Sequence, residues 1–258
     1  MPALARVARS GSRRLPRGWT DLLRQLLLFA AAYYLYRVVR GVVDGQAVAA
    51  FEHARSLIHI EQSVGLFFEP SVQSWAQGQG WLITAANWMY VNSHFVVTTT
   101  FLGWLYIARN QAFYFVRNMF MVAMGLALVL YVAYPTAPPR FMPEWGFADT
   151  VADFVGKGAE NGANLLYNPY AAVPSMHVAF ALMISIPAVR LVRRRWLKVL
   201  WAAYPGIVSF VVVATGNHFW IDGALGALVA GASAYAASAA FARLRPEAWG
   251  WHQAKVSA

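Results

Sequence analysis

The chain has 258 residues, of which 59% are hydrophobic and only 12% carry a charge, and its mean hydropathy is +0.44. A soluble domain is about 45–50% apolar and about 25% charged, so the composition indicates an integral membrane protein and excludes an ordinary soluble or nucleic-acid-binding domain, although the formal net charge is +10. The chain contains no cysteine, which excludes disulfides, thiolate metal sites and cysteine catalysis.

Six apolar segments are long enough to cross a bilayer, which takes roughly 20 mostly apolar residues. These segments are 21–39, 81–107, 112–134, 174–190, 198–215 and 218–241. The segment between the first two, residues 46–68, is too polar to cross. Its apolar and polar residues alternate at helical spacing, which predicts a helix lying at the membrane interface. The apolar positions are Val48, Phe51, Leu57, Ile58 and Val64, opposite Glu52, Arg55, His59 and Gln62.

Prolines and glycines mark the longest connection. The stretch "YPTAPPR" at 134–140 stops the third apolar segment, because two adjacent prolines cannot continue a helix. The polar residues that follow, up to about 172, must lie outside the hydrocarbon. The predicted fold is therefore an all-α integral membrane protein, a bundle of six transmembrane helices with an extracytoplasmic interfacial helix and loop region. It divides into a basic cytoplasmic segment (1–20), a single catalytic domain (21–243) and a cytoplasmic tail (244–258).

The distribution of charge predicts the orientation. With both termini inside, 16 of the 21 basic residues fall on the inner side and nine of the eleven acidic residues on the outer side, which is a strong positive-inside pattern. The arginine-rich start also resembles a mitochondrial transit peptide, but the positive-inside pattern explains it without one. We therefore expect a multi-pass protein of the plasma (inner) membrane of a bacterium. In this topology three distant polar segments, carrying Arg140, His177 and His218, meet on the outer face.

The first of the candidate motifs is "VPSMH", residues 173–177. Proline is favoured at the first helical position, and the free amides and dipole of a helix start bind anions. Ser175 adds a hydroxyl donor, and His177 in the first turn can give a proton to a bound group. The alternative is a capping segment whose histidine faces water.

The second motif, "HFWID", places His218 and Asp222 at i and i+4 on one helical face. A carboxylate bonded to one imidazole nitrogen makes the other nitrogen a better base or nucleophile, and ionisable residues inside a membrane span are usually functional. The alternative is a polar pair that satisfies itself at a helix end. Arg140 has a planar fork suited to phosphate, or it reaches lipid headgroups as an interfacial arginine.

Further polar residues lie near these motifs. Tyr90 and His94 belong to a polar stripe on the second apolar segment and, with Asn217, are candidates for lining a substrate cavity. Alternatively, the stripe forms hydrogen bonds to a neighbouring helix. Together the motifs describe phosphoryl transfer, in which one histidine attacks phosphorus and the other protonates the leaving oxygen. A metal site built from His177, His218 and Asp222 is the chemical alternative, although an arginine and a helix start repel a cation.

Three segments in this order, "YPTAPPRF", "NPYAAVPSMHVAFAL" and "ATGNHFWIDGALG", resemble the type 2 phosphatidic acid phosphatase superfamily. They are most similar to its branch related to fungal inositol phosphorylceramide synthase. The resemblance covers roughly residues 80–240. It implies a six-helix membrane fold and metal-independent transfer of phosphoryl or phospho-alcohol groups from lipids, with no cofactor.

The resemblance also implies a role for each site residue. His218 would be the nucleophile, Asp222 would orient it, His177 would be the general acid and base, and Arg140 and Ser175 would bind phosphate. The chain departs from other phosphatases of the superfamily in three places. It lacks the lysine ahead of Arg140 and the arginine shortly before His218, and Met176 replaces the glycine before the acid histidine.

These observations predict a membrane lipid phosphatase or phosphotransferase with an extracytoplasmic site, acting on a phospholipid or isoprenoid phosphate and transferring to water or to an alcohol such as inositol. One alternative is a pure phosphatase of isoprenoid or glycerolipid phosphates. The other is a non-catalytic lipid-binding or transport protein. The expected partners are the lipid substrate and the bilayer, with no nucleic acid and no indication of oligomeric state.

Overall fold

The computed structural model describes residues 15–156 and 170–244, and these residues form helices and turns without a β-strand. The predicted all-α class is therefore confirmed for this part of the chain. Most of the predicted basic segment 1–20, residues 157–169 of the polar stretch, and all but the first residue of the tail 244–258 lie outside the described residues.

The helices are numbered here in chain order. They are α1 (Gly18–Val42), α2 (Ala47–Ser63), α3 (Glu69–Gln77), α4 (Gly80–Ala108), α5 (Asn110–Ala133), α6 (Thr150–Val155), α7 (Met176–Leu191), α8 (Arg195–Ala214), α9 (Trp220–Tyr235) and α10 (Ala242–Leu244). A π-helical turn, Ala236–Phe241, joins α9 to α10, and short 3₁₀ turns lie at Val43–Gln46, Pro139–Phe141 and Pro143–Trp145.

Six of these helices, α1, α4, α5, α7, α8 and α9, occupy the six predicted apolar segments, with ends that differ by a few residues. Within the described residues, two of them are long and apolar enough to cross a membrane by length and composition: α5 with 24 residues and α8 with 20. Helix α7 is apolar but has 16 residues. The helix positions follow the sequence, while the number of crossings remains a prediction.

The region between α1 and α4 differs from its prediction. Instead of one helix over 46–68, the chain forms α2 and then a second helix, α3, which the sequence reasoning missed. The buried face of α2 consists of Ala50, Ala54, Leu57 and Ile58 together with Glu61, whereas Val48 and Val64 are exposed. Small residues at 50 and 54 let a backbone approach closely. The N–H of Ala137 donates to the carbonyl of Ala50 at 3.0 Å, so α2 covers the loop that follows α5.

Helix α7 lies at the centre of the bundle and packs against α4, α5, α8 and α9. The last apolar segment packs closely against the rest of the bundle where α9 crosses the start of α7. A Cβ atom at Gly226 would overlap the carbonyl oxygen of Ser175 and lie 3.4 Å from the backbone nitrogen of Ala179. Only glycine fits at this crossing, and it holds the starts of the two histidine-bearing helices together.

Candidate active site

The start of α7 carries Ser175 and His177. The peptide bond between Val173 and Pro174 is cis. Ser175 is the N-cap, and its fully buried hydroxyl oxygen accepts the N–H of Val178 at 3.5 Å. Pro174 was expected at the first helical position, but it precedes the cap because the helix begins at Met176. His177 lies in the first turn, as predicted, and the bond to Val178 leaves the hydroxyl hydrogen of Ser175 able to donate.

A tight turn between α8 and α9 presents His218. Gly216 has φ +66°, in the left-handed region that favours glycine. The N–H groups of Asn217 and His218 both donate to the carbonyl of Val212, at 3.0 and 3.1 Å. The side-chain amide of Asn217, a predicted cavity residue, donates to the hydroxyl and carbonyl oxygens of Thr215 at 2.8 and 3.3 Å. In this structure Asn217 therefore stabilises the turn.

His218 and Asp222 contact each other across the first turn of α9. Nδ1 of His218 lies 3.2 Å from Oδ2 of Asp222, and the same oxygen accepts the N–H of Phe219 at 3.0 Å. His218 is 5% exposed and Asp222 is fully buried. Because Nδ1 faces the carboxylate, the other ring nitrogen, Nε2, is the one that can react with a bound group.

The two candidate histidines come together in space. The ring centroids of His177 and His218 are 5.8 Å apart, and the N–H of Ser175 donates to the backbone carbonyl of Asp222 at 2.9 Å. A single group placed against both rings can therefore contact both imidazoles.

Tyr90 and His94 on α4 both contact the ring of His177. Tyr90 stacks on the His177 ring at a centroid distance of 4.6 Å, and His94 approaches that ring at the same distance. His94 also stacks on Phe180 at 4.9 Å. The predicted polar stripe of α4 therefore faces the start of α7. Its rings, Tyr90 and His94, pack against His177.

Arg140 joins this group from the loop after α5. It is 7% exposed, and its backbone N–H donates to the carbonyl of Gly216 at 2.7 Å. Its Nη1 lies 3.5 Å from Oδ1 of Asp149, which also caps α6 by accepting the N–H of Ala152. The loop is thereby tied to the turn before His218, so the three segments that carry Arg140, His177 and His218 meet at one end of the bundle.

Three buried polar residues near this site were not found by the sequence reasoning: Glu61, Glu69 and Gln73. The N–H groups of Trp220 and Ile221 donate to Glu69 and Glu61, and Gln73 forms a two-way amide contact with the backbone of Ala148, at 2.9 and 3.0 Å. One signal was available in the sequence. Glu61 continues the i, i+4, i+7 series of Ala50, Ala54 and Leu57, which puts a carboxylate on the apolar face of α2.

Within residues 15–156 and 170–244, no three His, Asp or Glu side chains are grouped as metal ligands would be. The metal alternative for His177, His218 and Asp222 therefore gains no support from the positions of these side chains.

The comparisons with known proteins agree with the motifs. The family model of the PAP2 superfamily matches residues 55–236, well over half of the chain. That range contains both histidines, Asp222, Arg140 and the two buried glutamates. No curated protein and no solved structure matched the chain. Its long apolar helices and this match make the protein a membrane-associated, phosphatase-type enzyme, and the chain belongs to the PAP2 superfamily.

Proposed function

We propose that the protein is a lipid phosphatase or phosphotransferase that forms a phosphohistidine on His218. Two contacts of His218 carry the proposal. Its Nδ1 lies 3.2 Å from the buried Oδ2 of Asp222, and its ring centroid lies 5.8 Å from that of His177. A buried imidazole oriented by a carboxylate and directed at a second imidazole is the arrangement that nucleophilic attack with general acid catalysis requires.

In the first step, Nε2 of His218 attacks the phosphorus of a lipid phosphate or phosphodiester. The bond from phosphorus to the leaving oxygen breaks, and His177 gives its proton to that oxygen. Asp222 stabilises the positive charge that develops on the His218 ring. In the second step, neutral His177 takes the proton of water or of an alcohol as that oxygen attacks phosphorus and releases Nε2.

Arg140, the Ser175 hydroxyl and the amides at the start of α7 are the proposed donors to the phosphate oxygens. The backbone of Arg140 is hydrogen-bonded to the turn before His218, which brings this residue to the site, and a helix start carries a partial positive charge. Donors fixed before the reaction stabilise the charge that builds up on phosphorus without reorganising.

We further propose that the second acceptor is an alcohol such as inositol, with water as the alternative. The half-buried Tyr90 ring stacked on His177 supports an alcohol acceptor, since an aromatic face next to the base can hold the apolar face of a polyol ring. The charge distribution of the sequence supports an extracytoplasmic site, and we propose that the membrane is the plasma membrane of a bacterium.

The test is leaving-group rescue in the two histidine variants, with purified protein in detergent. His218→Ala should abolish turnover and any trapped phosphoenzyme. His177→Ala should lose about 10²–10⁴-fold on a lipid substrate and recover partly on a nitrophenyl ester, whose leaving group needs little protonation. His59→Ala is the matched control, because His59 is exposed on α2 and contacts Trp145. Addition of a chelator should leave the wild-type rate unchanged.

Equal rescue of both variants, or full turnover without His218, would refute the assignment of the nucleophile. Phospholipid binding with no turnover on any phosphate ester would favour the lipid-binding alternative. Products analysed with and without inositol distinguish a transferase, which forms a phosphoinositol product, from a pure phosphatase, which releases free phosphate in both cases.

A further inference from the structure

The start of α9 has its backbone donors occupied by carboxylates. The N–H of Phe219 donates to Asp222, that of Trp220 donates to Oε1 of Glu69 at 2.9 Å, and that of Ile221 donates to Oε1 of Glu61 at 3.4 Å. The amides at the start of a helix normally lack partners and attract anions. In this protein Glu61 and Glu69 reach them from α2 and α3.

Glu61 and Glu69 are both fully buried, and their carboxyl groups accept the N–H groups of the adjacent residues Ile221 and Trp220, so the two acids lie side by side. The second oxygen of each, Oε2, has no N–H or O–H donor among the described residues. Two ionised carboxylates are acceptors only, so they cannot hydrogen-bond each other. One proton between them supplies the missing donor and removes one of two adjacent buried charges.

We propose that Glu61 and Glu69 form a carboxylic acid–carboxylate pair that shares one proton and fixes the turn carrying His218 and Asp222. This inference rests on the proposed function, since it assigns a positioning role for the same reaction. Neither glutamate contacts the reacting groups. They act through the backbone of Trp220 and Ile221, the residues that lie between the nucleophile and its carboxylate partner.

The proton belongs on Glu61. Burial, and then the negative charge of Glu69, raises the pKa of Glu61 to about 9, and burial also raises the pKa of Glu69. The shorter bond to Trp220 is on Glu69, as expected for the charged partner, because charge-assisted hydrogen bonds are the shorter ones. Glu61 at neutral pH is thus a neutral acid that donates to Glu69 and accepts from Ile221.

The groups around the pair set its response to pH. Glu69 faces Glu61 from α3, Asp222 faces it from α9 and also raises its pKa, and His218 lies beyond Asp222. The loop after α5 contributes apolar residues to the cluster behind the pair, including Met142 and Phe147. Loss of the shared proton at alkaline pH would leave two buried charges beside Asp222 and loosen the first turn of α9.

The pair also directs where the substrate can bind. The amides at the start of α9 already donate to carboxyl groups, and the negative charge of Glu69 lies next to them. A phosphate would therefore find no free donor there and would be repelled. The start of α7, with Ser175 and His177, is then the helix start that offers donors to the phosphate. A phosphate bound at the start of α7 would lie beside His177 and within reach of Nε2 of His218, on the side away from the two glutamates.

Two variants of Glu61 test whether this residue acts as a neutral hydrogen-bond donor or as a negative charge. Glu61→Gln keeps a donor for Glu69 and a carbonyl for the Ile221 N–H, so kcat should stay within about twofold of wild type. Glu61→Ala leaves both partners unsatisfied, and kcat should fall by about 100-fold with little change in KM, because the nucleophile is displaced. Glu52→Gln and Glu52→Ala on the exposed face of α2 are the matched controls and should both behave like wild type.

An infrared measurement tests the pair without any substrate. The wild-type protein at pH 7 should show the carbonyl stretch of a protonated carboxyl group, absent in Glu61→Gln and lost as the pH rises through about 9. The raised pKa of Glu61 also means that its stabilising contribution is complete below the unfolded value of 4.5 and lost as pH approaches about 9. The unfolding midpoint of the wild type should therefore fall more steeply over this range than that of Glu61→Gln.

An unchanged infrared spectrum in Glu61→Gln would overturn the shared proton, and a Glu61→Gln variant as impaired as Glu61→Ala would overturn the positioning role. If Glu61→Ala does not fold, the comparison of Glu61→Gln with Glu52→Gln decides. If the wild type turns over no phosphate ester, the infrared and unfolding results still test the pair, and the proposed function fails alone.

Discussion

Gly226 is the position where one added methyl group should push the helix that carries His177 away from the helix start that carries His218. It lies on α9 at the crossing with the start of α7, and a Cβ there would overlap the carbonyl oxygen of Ser175 and lie 3.2 Å from its carbonyl carbon. Both obstructing atoms belong to the backbone, which cannot rotate away as a side chain could. In Gly226→Ala, one helix must therefore move relative to the other.

The size of the effect follows from the overlap. A Cβ makes ordinary van der Waals contact with a heavy atom from 3.4 Å outward. The carbonyl oxygen of Ser175 lies well inside that distance, so the helices must separate by about 1 Å. Overpacking of this kind costs about 1–3 kcal/mol of unfolding free energy. Since Ser175 is the cap of the helix that carries His177, the same movement takes the acid histidine away from His218. A misplacement of about 1 Å can cost about 100-fold in rate.

The assay compares Gly226→Ala with Gly231→Ala, one and a half turns further along the same helix. A Cβ at Gly231 meets no atom within 4 Å, so that variant should be neutral or gain up to about 1 kcal/mol from the better helix propensity of alanine. Gly226→Ala should unfold several degrees lower in detergent and lose most of its kcat. Equal unfolding midpoints and equal kcat in the two variants would refute the tight crossing.

Two further predictions concern the orientation and the phosphate contact. Single cysteines introduced as Glu144→Cys and Arg194→Cys, both at exposed positions, should react with an impermeant reagent from opposite sides of the membrane, and labelling from one side would refute the topology. Arg140→Lys keeps the charge but loses the two-pronged contact, so substrate binding should weaken by about tenfold, or about 1.4 kcal/mol. The exposed Arg55→Lys is its control, and equal KM values in the two variants would contradict a phosphate-binding role for Arg140.

Local sequence patterns were enough to predict the helices. In a membrane, an apolar run of roughly 20 residues forms a helix, because the hydrocarbon offers its backbone no other hydrogen-bond partner. The prolines of "YPTAPPR" end one such helix, because a proline ring clashes with the preceding turn. The contact between His218 and Asp222 is equally local, since residues at i and i+4 lie on one helical face. These features depend on bonds within one turn or one helix.

The face that α2 buries against the protein was not specified by the local pattern. Leu57 and Ile58 of the predicted apolar face are buried, Val48 and Val64 are exposed, and the buried face also includes Ala50, Ala54 and Glu61. Hydrophobicity alone favours valine over alanine as a buried residue. The neighbouring loop reversed that preference, because its backbone packs against α2 and needs small side chains at the contact.

The sequence by itself determined the helical membrane-associated class, the segments that carry the motifs and, through the charge distribution, the expectation that three of them face the same side. The tertiary structure decided the 5.8 Å approach of the two histidine rings, the crossing at Gly226, and the burial of Glu61 and Glu69 against α9. The hydrogen bonds of those glutamates join residues 160 and 151 positions apart. A carboxylate is stable in such a place only when donors from another segment reach it, and no pattern within a single helix specifies which distant amides those will be.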